Sequence, residues 1–175
     1  ALGCIALLHC MGFDVDLLRP ALKSFKGVKR RFEYQLRSEN LVYIDDYAHH
    51  PTEINALISS VRAIYPDQKI TGIFQPHLFS RTQDFAAEFA LALAQLDTLY
   101  LLPIYPAREL PIPGVSSEWL ADLTQMQHKL VLQPHEVLTA LQKPQKGVLL
   151  TIGAGDIDRL VGPLTDLLKM QTLHR

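Results

Sequence analysis

Cysteine is scarce in this chain. Two in 175 residues, Cys4 and Cys10, with no second pair and no CxxC, argue against a disulfide framework or a structural zinc site and point to a reducing cytoplasm. Charge of one sign is missing too: 17 Lys and Arg face 18 Asp and Glu, so there is no global pull toward nucleic acid or a membrane surface. The apolar start, Ala1 to Phe13, is too short to span a bilayer and lacks the cationic flank of a signal peptide. The first residue is not methionine, so the chain is expected to be a piece of a longer protein. No GxxxxGK[ST] occurs, which excludes a Walker-type phosphate cradle within these residues. Internal repeats and low-complexity segments are absent, and nothing specifies an oligomeric state.

What is present is enough apolar material for a proper core, 48% of the residues, sized for one large domain or for a domain plus a piece of another. Ala1 to Cys10 reads as the end of a helix stopped by Met11-Gly12. Asp14 caps a second helix through Leu17, Leu18 and Leu22, with Pro20 awkwardly inside it. From Phe32 onward strands and helices alternate: Phe32–Arg37, Leu41–Ile44, a helix from Pro51 to Tyr65, a strand at Lys69–Phe74, then one long helix carrying Phe85, Phe89, Ala92, Leu93 and Leu96. Further strands follow at Thr98–Tyr105, Lys129–Leu132 and Gly147–Ile152, with helices at Trp119–Leu123, Pro134–Leu141 and up to Leu168. That rhythm specifies an α/β fold, a Rossmann-like, mostly parallel sheet with helices on both faces.

The densest chemistry lies in Ile44-Asp45-Asp46-Tyr47-Ala48-His49-His50-Pro51-Thr52-Glu53. An apolar strand precedes it and helical spacing (Ile54, Leu57, Ile58, Val61) follows, so the cluster occupies a strand-to-helix turn, where open α/β sheets bind ligands. Asp46, His49, His50 and Glu53 fall at i, i+3, i+4 and i+7, one face of a continuous helix and a metal-like pattern. Pro51 opposes that, because proline suits the first helical turn and keeps the preceding residue out of the helix. An organic or phosphate ligand is therefore expected over a metal. Thr52 and Glu53 read equally as helix caps, and His50 as a cap or a core residue.

Other polar punctuation is weaker. Lys26-Gly27-Val28-Lys29-Arg30-Arg31 is either a solvated linker or a phosphate clamp at the lip of a strand, a role suited to the guanidinium fork. Gln75-Pro76-His77-Leu78-Phe79-Ser80-Arg81-Thr82 forms a second strand-to-helix turn. The loop Pro106–Val115 is stiffened by proline, and Glu109 is expected to order it by pairing with Arg108. Gly153-Ala154-Gly155 lacks the third glycine of a dinucleotide fingerprint and lies on the last strand, so a tight turn is at least as apt as phosphate contact. Tyr100 and Tyr105 read as packing residues.

In order along the chain, Gly27-Val28-Lys29-Arg30-Arg31-Phe32-Glu33, Asp45 to Glu53, Gln75-Pro76-His77 with Ser80-Arg81-Thr82, Pro111-Ile112-Pro113-Gly114 and Gly153-Ala154-Gly155-Asp156 resemble the Mur ligases over roughly residues 27 to 160. The resemblance implies three domains in the whole protein: one for a UDP-sugar, a central ATPase domain and a Rossmann-like carboxy-terminal domain that brings in the amino acid. Residues 1–30 are then expected to be the tail of the central domain and 31–175 the carboxy-terminal one. The double histidine followed by Gln-Pro-His is similar to the branch that joins L-alanine to UDP-N-acetylmuramate through an acyl phosphate, using ATP and Mg2+, in peptidoglycan synthesis. The fragment alone is expected not to catalyse. Alternatives are a stand-alone nucleotide- or amino-acid-binding module, and a sister ligase that adds whole peptides.

Carried onto this sequence, the resemblance implies that Arg31 reaches the ATP phosphates and Asp46 the nucleotide ribose, and that Tyr47, His49, His77 and Arg81 hold L-alanine. No catalytic residue and no metal ligand is assigned. Where the family often has a second arginine after the histidine, this chain has Leu78. One charge-assisted hydrogen bond fewer costs on the order of 1.5–3 kcal/mol, and His49 is the expected compensating group.

Overall fold

The computed structural model describes residues 2–25, 27–143 and 145–173. Ala1 of the first expected helix, Lys26 of the cationic run and the last two residues of the expected carboxy-terminal domain lie outside the described residues. The elements are α1 (Leu2–Cys10), α2 (Val15–Ser24), β1 (Glu33–Arg37), β2 (Leu41–Asp46), α3 (Pro51–Ile64), β3 (Ile70–Phe74), α4 (Phe79–Asp84), α5 (Ala86–Leu93), β4 (Thr98–Leu101), α6 (Ser117–Leu123), β5 (Lys129–Val131), α7 (Pro134–Ala140), β6 (Gly147–Ile152) and α8 (Asp158–Leu173).

All six strands join one sheet in the order β1-β2-β6-β3-β4-β5. Only the edge strand β1 is antiparallel; the other pairings are parallel. β2 and β6 are buried along their whole length, as expected for parallel strands covered on both faces. Their side chains alternate between two cores. Val42 and Ile44 point into a layer with Ile54 and Ile58 of α3, Phe89 of α5 and Leu120 of α6. Leu41 and Tyr43 point the other way, against Val137 of α7 and Leu164 and Leu168 of α8. Burying each such aliphatic side chain contributes roughly 1.5–3 kcal/mol. The expected fold class is what the chain adopts.

The topology places the site. The chain leaves β2 through α3 and steps over β6 to reach β3, then returns from β5 to β6 through α7 on the opposite face. The order of travel therefore reverses around β6, and the carboxyl ends of β2, β6 and β3 open a crevice there.

Several boundaries differ from expectation for identifiable reasons. The long helix expected around Phe85 is two helices, because Phe85 takes φ −115°, ψ 24° between them. The strand expected at Thr98–Tyr105 stops at Leu101; Pro103, lacking an N–H, cannot extend the ladder. Helix α8 runs past Leu168 to Leu173. Helix α2 forms through Pro20, with Asp14 capping it by accepting from the Asp16 amide at 2.9 Å. None of its ten residues is buried. Among the described residues no helix is long and apolar enough to cross a membrane.

Candidate functional site

The strand β2 ends in two buried carboxylates that face different tasks. Asp46, 8% exposed, accepts the Phe32 amide at 2.6 Å on one oxygen and the Ala48 amide at 2.8 Å on the other. Burial pushes its pKa up against the pull of those two amides and of Arg31. It thus braces the start of β1 against the turn, with lone pairs left over for a further donor. Asp45, 1% exposed, takes the Arg30 Nε at 3.2 Å and the Thr151 hydroxyl at 2.6 Å.

Arg30 is a site residue that the sequence reading passed over in favour of its neighbour. Besides Asp45, its guanidinium donates to the Gly153 carbonyl at 2.6 Å, tying the run before β1 to the end of β6. Arg31 is the more exposed of the two, with its guanidinium 3.5 Å from Glu53 and 5.4 Å from the Tyr47 ring centroid. Gln75 was likewise missed as a functional side chain. Buried at the end of β3, it donates to Asp156 at 2.8 Å and accepts from the Ile157 amide at 2.9 Å. The only local hint was its place directly before Pro76-His77.

The Gly153-Ala154-Gly155 segment is a close-packed turn. A Cβ on Gly155 would fall 2.7 Å from the Tyr105 Cβ and also strike the Gln75 amide oxygen, and Gly153 has φ +147° with the Gln75 carbonyl against it. Glycine at these two positions is explained by packing alone.

Across the crevice the two polar turns meet. His50 stands just outside α3 and caps it, its Nδ1 accepting from the Thr52 amide at 3.3 Å, with its ring on Phe85. His49 turns the other way. Its Nδ1 lies 3.0 Å from the Tyr47 carbonyl and 3.3 Å from Glu53, so this nitrogen carries a hydrogen toward two acceptors. Burial acts to raise the pKa of Glu53, but the His49 amide and ring and Arg31 outweigh it and lower it. As the position of Pro51 implies, Asp46, His49, His50 and Glu53 do not share a helix: Asp46 ends β2, His49 and His50 precede α3, and Glu53 lies within it.

From the β3 turn, His77 and Arg81 enter the same space. His77 stacks on Tyr105 with ring centroids 5.5 Å apart and lies 6.1 Å from the His49 ring, while Tyr47 meets His49 edge-on at 5.4 Å. Arg81 Nη1 is 3.4 Å from His77 Nδ1. Burial, then Arg81 and His49, hold the His77 pKa below its usual value. Tyr47, His49, His77 and Arg81 are therefore brought together as expected, and Asp46 and Arg31 border them through Glu53 and Tyr47. Leu78 sits between His77 and α4 with φ +75°, a costly backbone for a leucine.

Glu109 corrects an expectation. It does not order its loop by pairing with Arg108; both oxygens reach Ser80, accepting the amide at 2.9 Å and the hydroxyl at 2.5 Å. Tyr105 is more than a packing residue for the same reason, since its backbone exchanges hydrogen bonds with Pro76 and Leu78 at 2.8 and 2.9 Å.

The fold is thus a mostly parallel α/β sheet whose switch point gathers a buried aspartate, two histidines and an arginine, the place where open sheets of this class bind ligands. The family model "Mur ligase, glutamate ligase domain" matches residues 30–155. The chain is 52% identical over 161 residues to the UDP-N-acetylmuramate–L-alanine ligase of Flavobacterium psychrophilum, covering 92% of this chain and 36% of that protein. It is 49% identical over 170 residues to the Porphyromonas gingivalis protein of the same name, covering 97% and 37%. The crystal structure of a UDP-N-acetylmuramate-alanine ligase from Thermotoga maritima superposes with a TM-score of 0.78 at 27% identity, over 95% of this chain and 36% of that one. This chain belongs to the Mur ligase family, as its carboxy-terminal domain, and it spans a little over a third of the length of these relatives.

Proposed function

We propose that the chain is the amino-acid-binding part of an ATP-dependent ligase that joins L-alanine to UDP-N-acetylmuramate in peptidoglycan synthesis. The observation that carries this reading is the pairing of His77 with Arg81 beside His49 and Tyr47 at the switch point. Arg81 makes no ion pair among the described residues, so its fork is available to a carboxylate. A guanidinium can only donate, so His77 Nδ1 accepts from it and the neutral ring keeps its hydrogen on Nε2 for the same carboxylate. His49, its ring 6.1 Å from that of His77, is the group that compensates for Leu78. Asp46 takes the ribose of ATP and Arg31 its phosphates.

In this reading the lactyl carboxylate of the sugar nucleotide takes the γ-phosphoryl group of ATP, and the amine of L-alanine attacks the resulting acyl phosphate and releases phosphate. Magnesium, when bound, offsets phosphate charge; no ligand for it is assigned among these residues. The task of this chain is to present the amine in line with the acyl carbon, a matter of orientation.

Residues 1 to about 30 are assigned to the tail of the preceding domain. In support, α1 and α2 pack on each other around an apolar pocket lined by Ile5, Leu8, Leu18 and Phe25, and the family match starts only at residue 30. We place the protein in the cytoplasm, where its two exposed free cysteines and ATP use are both at home.

The test is ADP release by the full-length protein given ATP, magnesium and UDP-N-acetylmuramate. Release that requires L-alanine supports the ligase. Nucleotide binding without release under any of these conditions would favour a non-catalytic binding module instead.

A further inference from the structure

We propose that Glu109 is a positioning residue for the amino-acid pocket: reaching in from the proline-rich loop, it caps α4 and so fixes Arg81 and His77. The inference rests on the reading of the site given above and extends it to a residue that touches no substrate.

The start of α4 needs an external cap. The first amides of any helix lack partners within it, and side chains such as Ser, Thr, Asp or Asn normally supply one from the N-cap position. Here that position is Leu78, whose side chain has no polar atom and makes no cap, and whose φ is +75°. Glu109, 29 residues further along the chain, takes over by accepting both the Ser80 amide and the Ser80 hydroxyl. These hydrogen bonds lower the Glu109 pKa, so its charged form is the one that binds.

The loop that delivers the carboxylate is itself fastened to the same turn. Tyr105 donates to the Pro76 carbonyl and accepts from the Leu78 amide, and its ring lies on His77. The Glu109 amide returns to the Pro106 carbonyl at 2.9 Å, through Ala107 at φ +50°. Tyr105 therefore fixes the residues before α4 and Glu109 fixes its first turn, with His77 on one side of the junction and Arg81 on the other. Without Glu109 the Ser80 amide and hydroxyl lose their acceptor, and the guanidinium one residue beyond Ser80 moves with the freed helix end.

The experiment uses the full-length protein and steady-state ADP release with L-alanine, ATP and UDP-N-acetylmuramate varied in turn. Glu109→Ala is expected to raise the KM for L-alanine on the order of tenfold while the KM for ATP stays within about twofold. Glu109→Gln keeps one acceptor oxygen and is expected to recover most of that loss; Ser80→Ala removes only the hydroxyl bond and is expected to raise the same KM about threefold. A general loss of structure would instead move every constant together. An unchanged L-alanine KM in Ser80→Ala, or a parallel rise for ATP, overturns the proposal even if Glu109→Ala fails to fold. A wild-type protein that needs no L-alanine would overturn the underlying reading of the site as well, which separates the two failures.

Discussion

His77 Nδ1 accepts from the Arg81 guanidinium at 3.4 Å, four residues along the chain, so the imidazole is held in one tautomer by a group that can only donate. Protonating His77 would bring two cations together in a half-buried space. Burial, Arg81 and His49 accordingly lower its pKa, with Glu109 opposing them.

His77 is therefore expected to titrate below 6.5, its ordinary value. Between that lowered value and 6.5 the unfolded chain binds more protons than the folded one. The contribution to stability is complete above 6.5 and is lost as pH falls through the folded-state value. Following the imidazole C2 proton by NMR checks this; a midpoint at or above 6.5 would contradict it.

Arg30→Met leaves Asp45, 1% exposed, without its cation. Removing one partner of a buried pair costs about 3–5 kcal/mol, and the partial exposure of Arg30 argues for the lower end. Burial already raises the pKa of Asp45, and losing Arg30 raises it further. The folded variant then holds a proton that the unfolded chain releases, so its deficit grows as pH rises. Urea unfolding at two pH values, read through the single Trp119, reports both effects. A variant as stable as wild type would sink the assignment of Arg30 as the brace of this crevice.

Much of this site was legible in the sequence, and the unread part has a common cause. The turn at 44–53 announced itself because apolar periodicity changes across it and Pro51 fixes where the helix begins, which also put His50 outside that helix. Arg30, Gln75 and Glu109 gave no such signal, since their partners are Gly153, Asp156 and Ser80, far away in the chain. Glu109 was read as pairing with Arg108 because sequence displays only neighbours. The break at Phe85 was hidden for a different reason: neither glycine nor proline marks it, and the apolar spacing runs through unbroken.

Gly155→Ala is expected to lower stability by roughly 1–3 kcal/mol, the usual cost of overpacking, because its Cβ would press on Tyr105 and displace the Gln75 oxygen that accepts from Ile157. Thermal unfolding of the two proteins decides it. An unaltered midpoint would mean that the turn is not packed this tightly, and would reopen a phosphate-binding role for the glycines.

The central claim is that Arg81, paired with His77, holds the carboxylate of L-alanine. Its most direct test is Arg81→Ala in the full-length protein, with KM measured for L-alanine and for ATP in the same preparation. Loss of a charge-assisted hydrogen bond worth about 1.5–3 kcal/mol predicts a rise of roughly ten- to a hundredfold for L-alanine and little change for ATP. Equal effects on both substrates would contradict the claim.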